Sequence, residues 1–265
     1  MYEHVTEIAK RMRGEIMKML YAAGSGHPGA SLSSVDILAA LFFEVMKHDP
    51  SSPNGDDRDR FFLSKGHAAP ALYAALALSG YFPPAELKTL RKIGSRLQGH
   101  PNHKCPGVEV ATGSLGQGFS IAAGVAWALG RKEISSRVFA LLGDGECNEG
   151  IVWEAALFAR HHQLANLTAI IDCNGYTNDG LLKEIMDVEP FMEKWQAFGW
   201  ETVEINGHDI EQIVGALSKP SSGSPRCVLA RTVKGKGVRY LEKDKSFHTK
   251  GPTLAQMQSA LRDIG

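Results

Sequence analysis

The sequence predicts an α/β protein built on a doubly wound, mostly parallel sheet with helices on both faces. The first observation behind this is a rhythm. From residue 138 onward, apolar runs that read as strands (138–142, 167–172, 202–205, 227–233) alternate with amphipathic runs that read as helices (151–160, 191–198, 210–217). Continuous apolar strands set between helices are what a parallel sheet covered on both faces requires. The second observation is bulk: 265 residues, 43% hydrophobic and 22% charged, suit one large domain over residues 1–265. The third is charge balance. Twenty-nine basic and 29 acidic residues cancel, which leaves no electrostatic footprint for nucleic acid or an anionic membrane. An anionic ligand must then be held locally.

Val5, Ile8, Met12, Ile16 and Met19 recur at helical spacing and stop at Gly24-Ser25-Gly26, so the chain opens with an amphipathic helix. A turn-rich loop follows. Ser33 or Ser34 is positioned to cap an apolar helix over residues 35–46, and a polar, Pro- and Gly-bearing stretch ends it. Arg60-Phe61-Phe62-Leu63 reads as a short strand, followed by the loop Ser64-Lys65-Gly66-His67 and an Ala/Leu-rich helix. Pro83-Pro84 starts a further short helix. The connection over residues 94–118 is long enough to suggest a functional loop, and the helix after it covers residues 119–129.

No apolar signal core and no membrane-length uncharged run are present, so a cytoplasmic protein is expected. Cys105, Cys147, Cys173 and Cys227 are widely spaced without a CxxC pair, which fits reduced thiols.

The chemistry concentrates at two strand ends. The run 138–142 leads straight into Gly143-Asp144-Gly145, and the next strand ends at Asp172-Cys173-Asn174-Gly175-Tyr176. In a parallel sheet both ends fall on one edge, the edge where ligands bind. Asp144 offers a hard anionic oxygen, Asn174 a neutral amide oxygen, and a backbone carbonyl near Tyr176 a third. Mg²⁺ favours such sets when ligand phosphates complete its octahedron. Glycines beside Asp144 let backbone approach a diphosphate, and a helix starting near Glu149 lends its N-terminal dipole.

Here the chain resembles a known family. Gly143-Asp144-Gly145, then Glu149-Gly150, then Asn174-Gly175 is similar to the thiamine diphosphate signature, and further segments resemble transketolase in particular. These are Ser25-Gly26-His27-Pro28-Gly29, Arg58-Asp59-Arg60, Ser64-Lys65-Gly66-His67, Gly99-His100-Pro101, Thr112-Gly113-Ser114-Leu115-Gly116-Gln117-Gly118 and Asn206-Gly207-His208-Asp209. The resemblance implies the diphosphate-side domain of a thiamine diphosphate enzyme that moves a two-carbon ketol unit from a ketose to an aldose, the sugars being phosphates or related compounds. It implies that Asp144, Asn174 and the Tyr176 carbonyl bind Mg²⁺, or Ca²⁺ in its place. Gly145, Asn174 and the Gly113-Ser114-Leu115 turn would touch the cofactor, and His67 its diphosphate. His27, His100 and His248 would line the channel around the reacting carbons, where each step moves a proton near neutral pH.

Full-length members carry a pyrimidine-binding domain with a catalytic glutamate, then a third domain. Neither is expected within residues 1–265, so the resemblance implies a C-terminal partner subunit that completes the site, in an α2β2 heterotetramer. A 1-deoxyxylulose-5-phosphate synthase-like subunit is the alternative within the cofactor class. A nicotinamide oxidoreductase would need a Gly-x-Gly-x-x-Gly after the first strand, which the sequence lacks. His100, His103 and Cys105 offer a zinc alternative without a fourth ligand at usual spacing.

Overall fold

The computed structural model describes residues 2–219, 221–243 and 249–265. His248, expected to act in the channel, lies outside them. Five strands form one sheet: β1 (Arg60–Leu63), β2 (Val138–Gly143), β3 (Leu167–Cys173), β4 (Glu201–Asn206) and β5 (Arg226–Arg231). Their spatial order is β1-β2-β3-β5-β4, and every pairing is parallel. All five carboxyl ends therefore lie on one edge.

Side-chain alternation along the strands divides the core in two. Phe139, Leu141, Ile170, Val228 and Ala230 face a layer that contains α1 (Glu3–Ala23), α3 (Val35–Ala40), α4 (Ala69–Leu78) and α9 (Ile210–Ser218). Val138, Ala140, Leu142, Ala169, Ile171 and Leu229 face the other layer, with α5 (Gln117–Arg131), α6 (Gly150–His161) and α8 (Phe191–Ala197). A strand with both faces covered has no polar side, which is why these read as unbroken apolar runs.

Local structure departs from expectation in three places. The loop after α1 contains a short helix, α2 (Pro28–Ser33), started by Pro28, whose missing N–H is no loss at that position. Neither Ser33 nor Ser34 caps the next helix: both hydroxyls donate to the Ala30 carbonyl and to the Asp172 carboxylate instead. The helix expected over residues 35–46 becomes a π-turn at Leu41–Val45. Between Asp144 and α6 lies a 3₁₀ turn, Gly145–Asn148, and α6 starts at Gly150, in keeping with the helix expected near Glu149.

Candidate active site

The tips of β2 and β3 meet. Gly143 pairs with Asp172 in the ladder, and the Asp144 N–H donates to the Asp172 carbonyl at 3.3 Å. The Asp144 carboxylate then accepts from Gly145 N–H at 2.8 Å and from Gly175 N–H at 2.6 Å. This second bond brings Asp144 beside Asn174, whose Oδ1 accepts from Tyr176 N–H at 3.1 Å while its Nδ2 donates to Asp172 at 3.3 Å. The amide is thereby oriented, with its nitrogen turned down to a buried acid and its oxygen toward the loop.

Beneath the tips lies a buried ion pair that sequence reasoning missed. Lys65 and Asp172 are 1% and 0% exposed and in direct contact. Lys65 also donates to Ala30 O and Ser34 Oγ, each at 3.2 Å, and Asp172 accepts from Ser33 at 2.6 Å and from Thr232. Burial alone would raise Asp172, yet Lys65 and the two hydroxyls hold it below the usual carboxylate range. Asp144 is the opposite case. Burial first, and the Asp172 charge second, push it up to about 6 against the pull of its two amide donors.

A cleft of about 430 Å³ opens above this floor. Of the residues expected at the site, His27, His67, Gly113, Leu115, Gly145 and Asn174 line it. His27 and His67 meet edge to face with ring centroids 5.3 Å apart, although 40 positions separate them. His100 stands one layer back, its ring 3.3 Å from where a side chain on Gly113 would begin. Tyr73 of α4 holds that segment by donating to the carbonyls of Gln98 and His100 at 3.0 and 3.1 Å. Burial, with Arg91 second, lowers the affinity of His100 for a proton. Asp144, Ser114 and Tyr176 are not in the cleft wall; Tyr176 is bridged to Leu181 beside it.

The cleft also contains Lys65, Glu146, Thr177, Asn178, Asp179 and Thr249, none of which received a role from the sequence. Glu146 is 2% exposed and accepts from Ser64 Oγ at 2.5 Å, Gly116 N–H at 2.7 Å and Gly143 N–H at 3.0 Å. It ties three loops together, and burial raises it. The one available signal was its place directly after Gly-Asp-Gly. Close backbone packing completes the wall: a side-chain carbon on Gly66 would sit 2.8 Å from Thr112 Oγ1 and 2.9 Å from Gly113 N, so only glycine fits between these turns.

Among the described residues no three of His, Cys, Asp and Glu converge as a metal centre, so His100, His103 and Cys105 are not gathered around one ion. What the β-tips offer instead is one carboxylate and one amide, a set that suits a hard cation sharing phosphate oxygens. The desolvated Asp144 carboxylate, which has no salt bridge among the described residues, would be neutralised by such an ion.

Fold and cleft together define a class: a parallel α/β domain with a cleft of mostly polar residues at the carboxyl edge of its sheet, the edge where such sheets bind ligands. Comparison with known proteins makes the assignment specific. Residues 5–262 match the family described as "Transketolase, thiamine diphosphate binding domain", so the chain belongs to the transketolase family as that domain, and it is a component of a ketol transferase. It is 41% identical to the 6-deoxy-6-sulfo-D-fructose transketolase subunit of Clostridium sp. (strain MSTE9), covering 99% of this chain and 95% of that one. It is 37% identical to an apulose-4-phosphate transketolase subunit of Phocaeicola vulgatus, covering 97% and 92%. The crystal structure of Campylobacter jejuni transketolase superposes with a TM-score of 0.94 at 36% identity, covering 100% of this chain and 43% of that one. The chain thus spans nearly the whole of relatives named as subunits and less than half of full-length transketolases.

Proposed function

We propose that this chain is the diphosphate-side subunit of a split transketolase. In this reading it holds thiamine diphosphate with Mg²⁺, or Ca²⁺ in its place. A C-terminal subunit carrying the pyrimidine-binding domain completes the site in a cytoplasmic α2β2 heterotetramer. The observation that carries the reading is the junction of the two strand tips, where the Gly175 N–H reaches the Asp144 carboxylate at 2.6 Å and so sets an acid and an amide side by side. The split form is supported by near-complete coverage of relatives that are themselves named subunits.

The bound cofactor supplies a carbon nucleophile and electron sink for the two-carbon transfer. The residues of this chain do the rest of the work assigned to it. Asp144, Asn174 and the Tyr176 carbonyl hold the cation. Gly145 and the Gly113-Ser114-Leu115 turn present backbone to the cofactor, and His67 contacts the diphosphate. His27 and His100 exchange protons with the sugar hydroxyls, and the lowered proton affinity of His100 favours the neutral ring that can accept one. His248 shares that role by resemblance. The substrates are a ketose and an aldose carrying phosphate or a related acidic group; a sulfonated sugar and a branched sugar phosphate are named for the two subunit relatives.

The test is reconstitution. The purified chain should show no ketol transfer, and activity should appear when the pyrimidine-domain subunit is added. Robust turnover of a ketose by the chain alone would overturn the proposal.

A further inference from the structure

The Asn206-Gly207-His208-Asp209 segment marks the family resemblance, yet the site described above leaves His208 without a task. His208 follows β4 and does not line the cleft. Its two ring nitrogens are nevertheless both engaged. Nε2 faces the Val233 N–H at 2.8 Å, and Nδ1 lies 2.7 Å from Asp36 Oδ2. A backbone N–H can only donate, so Nε2 must be the bare nitrogen and Nδ1 must carry the proton, which it donates to Asp36. Asp36 is buried on α3 and also accepts from Arg13 of α1 at 2.5 Å. Arg13 in turn donates through Nε to the Lys236 carbonyl at 3.2 Å. One carboxylate thus grips the turn over residues 233–237 at both ends, through His208 at Val233 and through Arg13 at Lys236.

What that turn carries is Lys234. This lysine is 4% exposed and runs between two of the loops that line the cleft, although it is not itself part of the lining. Its stem lies on Gly29, where an added side-chain carbon would come within 2.9 Å of Lys234 Cγ. Its ammonium donates to the Thr177 carbonyl at 3.1 Å and stands 5.2 Å from the centre of the Tyr176 ring. Gly235 N–H secures the turn to the Gly29 carbonyl at 3.1 Å. Lys234 is therefore a buried cation spanning the His27-bearing loop and the Asn174-bearing loop, and its place depends on a turn whose leading N–H ends on an imidazole.

We propose that His208 is a positioning residue for the cofactor site: held in its Nδ1–H form by Asp36, it fixes Val233 and thereby keeps Lys234 between the His27-bearing and Asn174-bearing loops that line the cleft. This rests on the thiamine diphosphate reading given above. Two substitutions divide the ring's functions. His208→Gln puts an amide oxygen near the Nε2 position and retains an acceptor for Val233. His208→Asn places its amide near Nδ1 and retains the bond to Asp36 but loses that acceptor.

The experiment uses the reconstituted complex and the full chain. In the wild-type chain, long-range proton–nitrogen NMR should show His208 protonated on Nδ1 and bare on Nε2, and the Val233 amide should be protected from exchange. His208→Asn should speed exchange of that amide and raise the KM for thiamine diphosphate about tenfold, the effect of one ordinary hydrogen bond, with kcat little changed. His208→Gln should stay within about twofold of wild type on both measures. An Nε2–H form in the wild type would overturn the inference, as would a His208→Asn complex with wild-type KM, or equal losses from Asn and Gln. If the wild-type complex takes up no thiamine diphosphate, the functional reading itself fails; if it does and His208→Asn is silent, only this inference fails.

Discussion

Two carboxylates at the same sheet edge, Asp172 and Asp144, are almost equally buried, yet their proton affinities are shifted in opposite directions. Asp172 is surrounded by groups of its own chain: Lys65 in direct contact, the hydroxyls of Ser33, Ser34 and Thr232, and the Asn174 amide. Its charge is satisfied within the fold. Asp144 receives two backbone N–H groups, and its proton affinity rises to about that of a histidine. A buried charge completed by its neighbours is part of the framework, while one left short of positive charge is a site for something the chain must bind.

The largest test of this contrast removes the partner of Asp172. Lys65→Met should lower stability by about 3–5 kcal/mol, since it strands a buried carboxylate, and urea unfolding of the chain would measure it. A loss below about 1 kcal/mol would mean that the hydroxyls alone satisfy Asp172. Next, Asp144→Ala should weaken magnesium-dependent uptake of thiamine diphosphate by the complex at least about 100-fold, roughly 2.7 kcal/mol, while the unfolding midpoint of the chain moves little. Calorimetry showing unchanged affinity would remove Asp144 from the cation site.

A pH series sharpens the same comparison at smaller amplitude. Because the folded Asp144 value of about 6 lies above the unfolded 3.8, the folded state binds its proton more tightly. The ionised form costs stability above pH 6, and that cost disappears as pH falls through this window. A cation competes with the same proton, so magnesium-dependent cofactor affinity should drop by up to about tenfold per pH unit below 6. Flat affinity between pH 7 and 5 would contradict this. The smallest effect belongs to an exposed pair: Arg231→Ala, which breaks contacts with Glu189 and Glu204, should change stability by about 1 kcal/mol or less in the same urea assay.

Much of this molecule was legible because its local patterns are redundant. The inner strands β2, β3 and β5 contain apolar runs closed by polar or glycine residues, and Gly143-Asp144-Gly145 falls directly at a strand end, so the edge bearing the site followed from chain order alone. Helix ends were less legible. Ser33 and Ser34 have ideal capping chemistry, but a buried acid more than 130 positions away along the chain competed for their hydroxyls and won. The turn at Leu41–Val45 has no glycine or proline to announce it.

The sequence by itself determined the fold class, the strands and the residue types at the strand tips, because those depend on periodicity and short-range turn chemistry. Only tertiary structure decided that β5 lies between β3 and β4, that Lys65 is an internal counter-ion rather than a surface lysine, and that Glu146 binds three loops together. It also decided that His208 holds a backbone amide on another strand's exit. The physical reason is common to all four: burial and hydrogen-bond partnership are set by groups far apart in the chain, and a side chain's charge state follows from what it meets there.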